Sequence, residues 1–190
     1  LYAPDVVDTV NALNLPRYGL GNYVAASPHS PPTQAEARQL QDLSRAGKRL
    51  MGFCRTNLFK RLESSGAAFL QSVERHILRN YVYLHAIQQG LPLPVGTQDV
   101  EMLDSRFTDE DPDEAQGSLF DPEDEDQGDG ADGFPSAGPA SWTLTSFQTR
   151  AAEVYAGYAG PYRRRFKWLR PDLFIEALEE DLRADADALF

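Results

Sequence analysis

The side chains of this chain whose types and spacing suit chemistry are cations set against leucines. In RTNLFKRLESSG, residues 55–66, Arg55, Lys60, Arg61 and Glu63 interleave with Leu58, Phe59 and Leu62, and the run stops on two serines and a glycine. On a helix turning about 100° per residue, Leu50, Phe53, Cys54, Leu58 and Leu62 share one broad side, and Arg45, Lys48, Arg49, Arg55 and Lys60 gather on the other. Such a face neutralises an anion, a phosphate backbone above all, without reading sequence. The bland alternatives are a solvated face or one docked on another domain. Arg61 falls inside the apolar arc and therefore needs a partner, because an uncompensated buried charge is costly. Glu63 is too close in sequence to supply it, since helical pairs form three or four residues apart.

A second run, YRRRFKWLR over residues 162–170, places Arg163, Arg164, Arg165 and Lys167 among Tyr162, Phe166 and Trp168. That composition suits phosphate contact with stacking. It suits equally a helix junction whose aromatics plug the core while the bases balance the acids of EALEED. The latter is the favoured expectation.

Other chemistries lack their constellations. Cys54 is the single cysteine, which excludes an internal disulfide or a cysteine-rich zinc site and fits a reducing, cytoplasmic setting. It is expected to be a small buried hydrophobe. His76 and His85 stand nine residues apart on one predicted helix, too far to share a metal, and are expected in the core or at an interface. Ser64 and Ser65 have no adjacent base and are expected to cap a helix break.

The elements that must position these residues read as helices. Residues 4–13 form a short helix with Val6, Val7, Val10 and Leu13 on one side. Thr33 and Glu36 compose a capping box, a helix start in which each side chain satisfies the other's free amide. That helix runs to Ser64 or Ser65 with weak points at Gly47 and Gly52. Residues 67–89 carry Leu70, Val73, Ile77, Tyr81 and Leu84 at helical spacing, with further apolar surface around them, and Gly90 ends the run. This helix is expected to be a mostly buried central strut, with the apolar side of the preceding helix packed on it. Residues 141–160 resume helical character. Pro171 is expected at the first position of a last helix bearing Phe174, Leu178 and Leu182 on one face. No stretch alternates enough to be read as a strand.

At 190 residues and 42% hydrophobic the chain can bury a sizeable core. No apolar run approaches a membrane span, and the first residues do not form a secretory signal. The net charge of −11 is unevenly placed. Fifteen acids stand between Asp99 and Asp132 against the single Arg106, and the remainder holds fourteen acids and seventeen bases. An acidic tract is thus set into a mildly basic body. Its wealth of Asp, Glu, Gly and Pro predicts a disordered or loosely ordered loop. The expected organisation is all-α, a helical bundle with a long central helix. Residues 1–98 form a first arm, 99–140 the acidic loop, and 141–190 a second arm packing on the first.

The segment GKRLMGFCRTNLFKRLESSGAAFLQSVERHILRNYVYLHAI, residues 47–87, resembles a region of bacterial Swi/Snf-type helicase-like ATPases of superfamily two, where an Arg…Lys-Arg-Leu-Glu-Ser-Ser run lies on helices between the two RecA-like lobes. YAPDVVDTVNALNLPRYGLGNYV and FKWLRPDLFIEALEEDLRADADALF resemble the flanks of the same region. The resemblance implies a fragment of an ATP-driven motor on double-stranded DNA, with the lobes of the parent chain as partners, ATP and magnesium as the parent's cofactors, and no membrane. It also fits a chain that opens on Leu1 and closes on ADADALF in mid-pattern. The chain has no G-x-x-x-x-G-K-[ST] loop and no Asp-Glu-x-His pair, so it is expected to be inactive as an ATPase alone. Arg55, Lys60, Arg61 and Glu63 are the expected interface contacts, and Arg45, Lys48 and Arg49 the expected phosphate contacts. The alternative is a stand-alone helical protein-interaction module with an acidic regulatory loop.

Overall fold

A computed structural model describes residues 4–96 and 142–190. The acidic tract falls outside the described residues. Five α-helices and one two-stranded ribbon are present among the described residues: α1 (Pro4–Ala12), α2 (Gln34–Ser64), α3 (Gly66–Gln88), β1 (Leu93–Gly96), α4 (Leu144–Ala159), β2 (Phe166–Leu169) and α5 (Ala177–Leu189). The fold is all-α.

Local sequence sets the main boundaries. Thr33 and Glu36 form the full capping box that starts α2. Ser65 ends α2 in an extended conformation, and its hydroxyl accepts the Ala68 amide to begin α3. One residue thereby closes one helix and opens the next. Gly90 adopts φ +62°, a left-handed conformation that stops α3 at little steric cost. A second capping box, Thr143 with Ser146, starts α4.

α3 is the strut. Twelve of its residues are buried, from Ser72 to Ala86, and α4 and α5 both pack along it. Each fully buried Leu or Ile contributes about 1.5–3 kcal/mol relative to exposure, so Ile77, Leu84, Leu178 and Leu182, at 2% exposure or less, account for much of the cohesion between the two arms. The apolar side of α2 is divided. Leu40 and Leu43 join this main core. Leu50, Cys54 and Leu58 form a second core with Val10, Leu13, Leu15 and Tyr18. α2 therefore rests on α1 and the segment after it as well as on α3.

Two expectations are corrected. β1 and β2 pair antiparallel in the register Leu93↔Leu169 to Gly96↔Phe166, where no strand was foreseen. Leu93 and Leu169 are both fully buried, so the ribbon plugs one side of the bundle. Four-residue strands are too short to alternate visibly, and Pro94 argues against a strand except where an edge is open, as in a two-stranded ribbon. The last helix also starts late. Pro171 opens a 3₁₀ turn, Pro171–Leu173, and Phe174 then bridges to Val24. Ile175 donates its amide to the Tyr23 carbonyl and Leu173 accepts that of Ala25. These long-range bonds hold the backbone extended until α5 begins at Ala177.

Candidate nucleic-acid interface

The outward face of α2 is defined by what its inward face buries. The buried arc is centred between Leu50 and Cys54. Arg45, Lys48 and Arg49 stand roughly 120–180° away on the wheel and are exposed. Their spacing is i, i+3 and i+4, which puts neighbouring Cβ atoms about 5–6 Å apart. Among the described residues no acid lies within ion-pair distance of any of the three. Asp42, one turn before Arg45, is exposed. Like charges at this spacing destabilise a helix by a few tenths of a kcal/mol per pair, a cost that an incoming anion reverses.

The other cations of α2 divide. Lys60 is exposed, as is Glu63. Arg55 does not join the outward face. It is half-buried and donates from Nη2 to the Leu13 carbonyl, clamping the chain as it leaves α1. It lies about as far round the wheel from the arc's centre as Arg49 does, and its long side chain reaches back to the neighbouring segment. Arg61, expected within the apolar arc, is half-buried near the end of α2. Phe53 moves the opposite way. Placed on the apolar side by the sequence, it is 42% exposed, because it sits about 100° from the arc's centre, where no other described element covers it.

Arg163, Arg164, Arg165 and Lys167 lie on the second arm, on and just after the 3₁₀ turn Arg163–Arg165. The first two are exposed and the last two half-buried. Arg170 of the same run pairs with Glu36 at 3.0 Å and Asp172 at 3.3 Å, and Glu179 pairs with Arg183. Hydrogen bonding to Arg170 is the main reason the Glu36 carboxyl lies below the usual carboxylate range, with the Thr33 cap adding to it. That pair fixes β2's exit to the start of α2.

Behind these surfaces lies a buried polar junction. Arg17, 8% exposed, donates from Nε to Asn80 Oδ1 at 2.8 Å, and its Nη2 lies 3.1 Å from His76 Nδ1. A guanidinium only donates, so Nδ1 accepts and the ring proton sits on Nε2, 3.5 Å from Cys54 Sγ. Cys54 is 2% exposed. The Cys–His pair is enclosed and has no access for a substrate.

From α5, Asp185 accepts the amides of Asn14 and Leu15, each at 2.7 Å. Asp181 accepts the Tyr23 hydroxyl at 2.6 Å. Leu15 has φ +51°, a conformation costing a branched residue about 1–2 kcal/mol, and Asp185 holds it there. Burial pushes the Asp185 carboxyl up despite the two amide bonds that oppose the shift. Burial and then the bond to Asp181 push the Tyr23 hydroxyl up. Sequence reasoning did not single out Arg17, Asn80, Asp181 or Asp185. The available signal was the i, i+4 spacing of His76 with Asn80 on a largely apolar helix, repeated by Asp181 with Asp185.

The described residues offer no fitting donor set for the ATP and magnesium of the implied parent, since no group of three or more His, Cys, Asp or Glu gathers and the sequence has no phosphate loop. No described helix is long and apolar enough to cross a membrane. No protein-family model, curated protein sequence or solved structure matches the chain.

Proposed function

We propose that this chain is a helical bridge between the two motor lobes of an ATP-driven, Swi/Snf-type DNA translocase or helicase, and that the outward face of α2 rests on the phosphates of double-stranded DNA. The observation that carries the DNA contact is the exposed triangle of Arg45, Lys48 and Arg49, three like charges on one helical turn with no acid at ion-pair distance among the described residues. Duplex DNA presents one negative charge per ~1.7 Å of axis, so such a triangle can meet neighbouring phosphates without reading bases.

The bridge role rests on the resemblance of residues 47–87 and draws support from two features. The arms form one packed body around α3. The segment leaving α1 is bound to α5 through Asp185, which fastens the first arm to the second. Hydrolysis of ATP belongs to the lobes, and the residues of this chain supply placement and charge.

The test is equilibrium binding to a mixed-sequence 30-base-pair duplex over a series of salt concentrations. The unsubstituted chain, called the parent in the comparisons of variants below, binds with a steep salt dependence, and R45Q/K48Q/R49Q binds more weakly with a shallower slope. Equal slopes for the two proteins would remove α2 as the contact face.

A further inference from the structure

The turn Arg163–Arg165 carries a second arrangement that the α2 face does not explain. Three consecutive arginines occupy one 3₁₀ turn, where successive side chains fan out about 120° apart. Two of the three are laid on aromatic rings. The Arg163 guanidinium sits 5.2 Å from the centre of the Trp168 ring, and that of Arg165 lies 4.6 Å from the centre of Tyr162. Trp168 holds Arg163 at both ends, since its indole N–H also donates to the Arg163 carbonyl at 2.9 Å. The backbone is fixed as well. Arg163 and Arg165 donate their amides to the carbonyls of Gly160 and Tyr162, and the ribbon with Leu93–Gly96 starts at Phe166. Arg164 stands exposed between the stacked pair, and neither it nor Arg163 has an acid at ion-pair distance among the described residues.

A guanidinium stacked on a ring is stripped of water on one face, while its N–H fork stays free in the plane of the group. That fork matches two oxygens of a phosphate. Because the side chains are already held, less rotamer freedom is lost when the ligand arrives. The same stacking argues against base recognition. The Trp168 ring is taken by Arg163 and, edge-on, by Tyr155 and Phe166, and Arg165 covers one face of Tyr162.

We propose that residues 162–168 form a second phosphate-contact site, a preorganised arginine turn that grips the backbone of duplex nucleic acid independently of sequence. Arg163 and Arg164 make the contacts, and Trp168 is a positioning residue. The choice of nucleic acid as the ligand rests on the reading of α2 given above, whereas the residues are different ones and lie on the other arm.

The experiment is fluorescence anisotropy of two labelled 30-base-pair duplexes of unrelated sequence, from low to moderate potassium chloride. R163Q/R164Q lowers the magnitude of the logarithmic salt slope by about 2, and affinity falls by on the order of tenfold per lost contact near 0.1 M salt. The loss is equal for both duplexes. W168A weakens binding in the same direction, and W168F, which keeps a ring under Arg163, recovers part of it. Circular dichroism melting of each variant separates unfolding from lost contact, and R163Q/R164Q alters exposed side chains only.

An unchanged slope in R163Q/R164Q beside a reduced slope in R45Q/K48Q/R49Q overturns this site and leaves the α2 face standing. The reverse pattern upholds this site and removes α2. A parent chain that binds neither duplex at low salt overturns both. Polyglutamate that displaces the duplex from the parent but not from R163Q/R164Q, at matched charge, overturns the assignment to phosphate in favour of an acidic peptide.

Discussion

Replacing Asp185 by alanine tests the junction that fastens the two arms. Its carboxylate receives two amide protons at 2.7 Å and is 3% exposed, so water cannot take its place without opening the core. Hydrogen bonds to a charged acceptor contribute about 1.5–3 kcal/mol each. Release of Leu15 from φ +51° returns about 1–2 kcal/mol, which offsets part of the loss. The expected net cost of D185A is about 2–4 kcal/mol, a large share of the ~5–15 kcal/mol that holds a typical domain. Urea unfolding followed by circular dichroism at pH 7 measures it. D185N keeps one carbonyl oxygen and is expected to cost roughly half as much.

The pH dependence adds a signed check. Burial raises the folded Asp185 carboxyl above its ordinary value of 3.8. The native protein therefore takes up this proton before the unfolded chain does, and the site's contribution to stability grows as pH falls toward that value. The gap between parent and D185N widens on acidification from pH 7 toward 4. A D185A protein within about 1 kcal/mol of the parent, or a gap that narrows with acid, would refute the reasoning.

Glu36 behaves in the opposite sense. Its carboxyl is lowered from 4.5 by Arg170 and the cap, so its stabilisation is present above that value and is lost as pH falls through the lower folded one. Thermal melting of the parent and E36Q should converge below pH 4. Two glycines provide a further contrast. A Cβ at Gly21 would meet the Ser44 backbone at 2.4 Å, so G21A should cost about 1–3 kcal/mol. Nothing lies within 4 Å of a Cβ at Gly52, in the interior of α2, and G52A should stabilise by about 0.5–1 kcal/mol. Urea titration of both variants reads the difference in sign.

What could be read from the sequence was what is local. The Thr33–Glu36 box, the break at Ser65 and the stop at Gly90 each depend on a few neighbouring residues, and each lies where the pattern puts it. The burial of α3 follows from apolar residues recurring beyond a single stripe. What escaped depends on distant partners. The ribbon exists because Leu93 and Leu169 meet across the bundle, and α5 starts late because Tyr23 and Ala25 hold residues 173–175 extended. Arg55 looked like part of a charged face until the Leu13 carbonyl was found within its reach. Phe53 looked apolar and inward, and no described element arrives to cover it. Of the basic face, the triangle of Arg45, Lys48 and Arg49 was visible as a helical pattern. Whether an acid from elsewhere would neutralise it was not, since that depends on how the arms pack.

The most direct test of a DNA-contacting α2 is the salt slope of duplex binding before and after the three charges are removed. Each phosphate contact contributes about −0.9 to that slope, so R45Q/K48Q/R49Q should be shallower than the parent by about 2–3. A variant that keeps the parent's slope and affinity, while melting at the same temperature, would contradict the account.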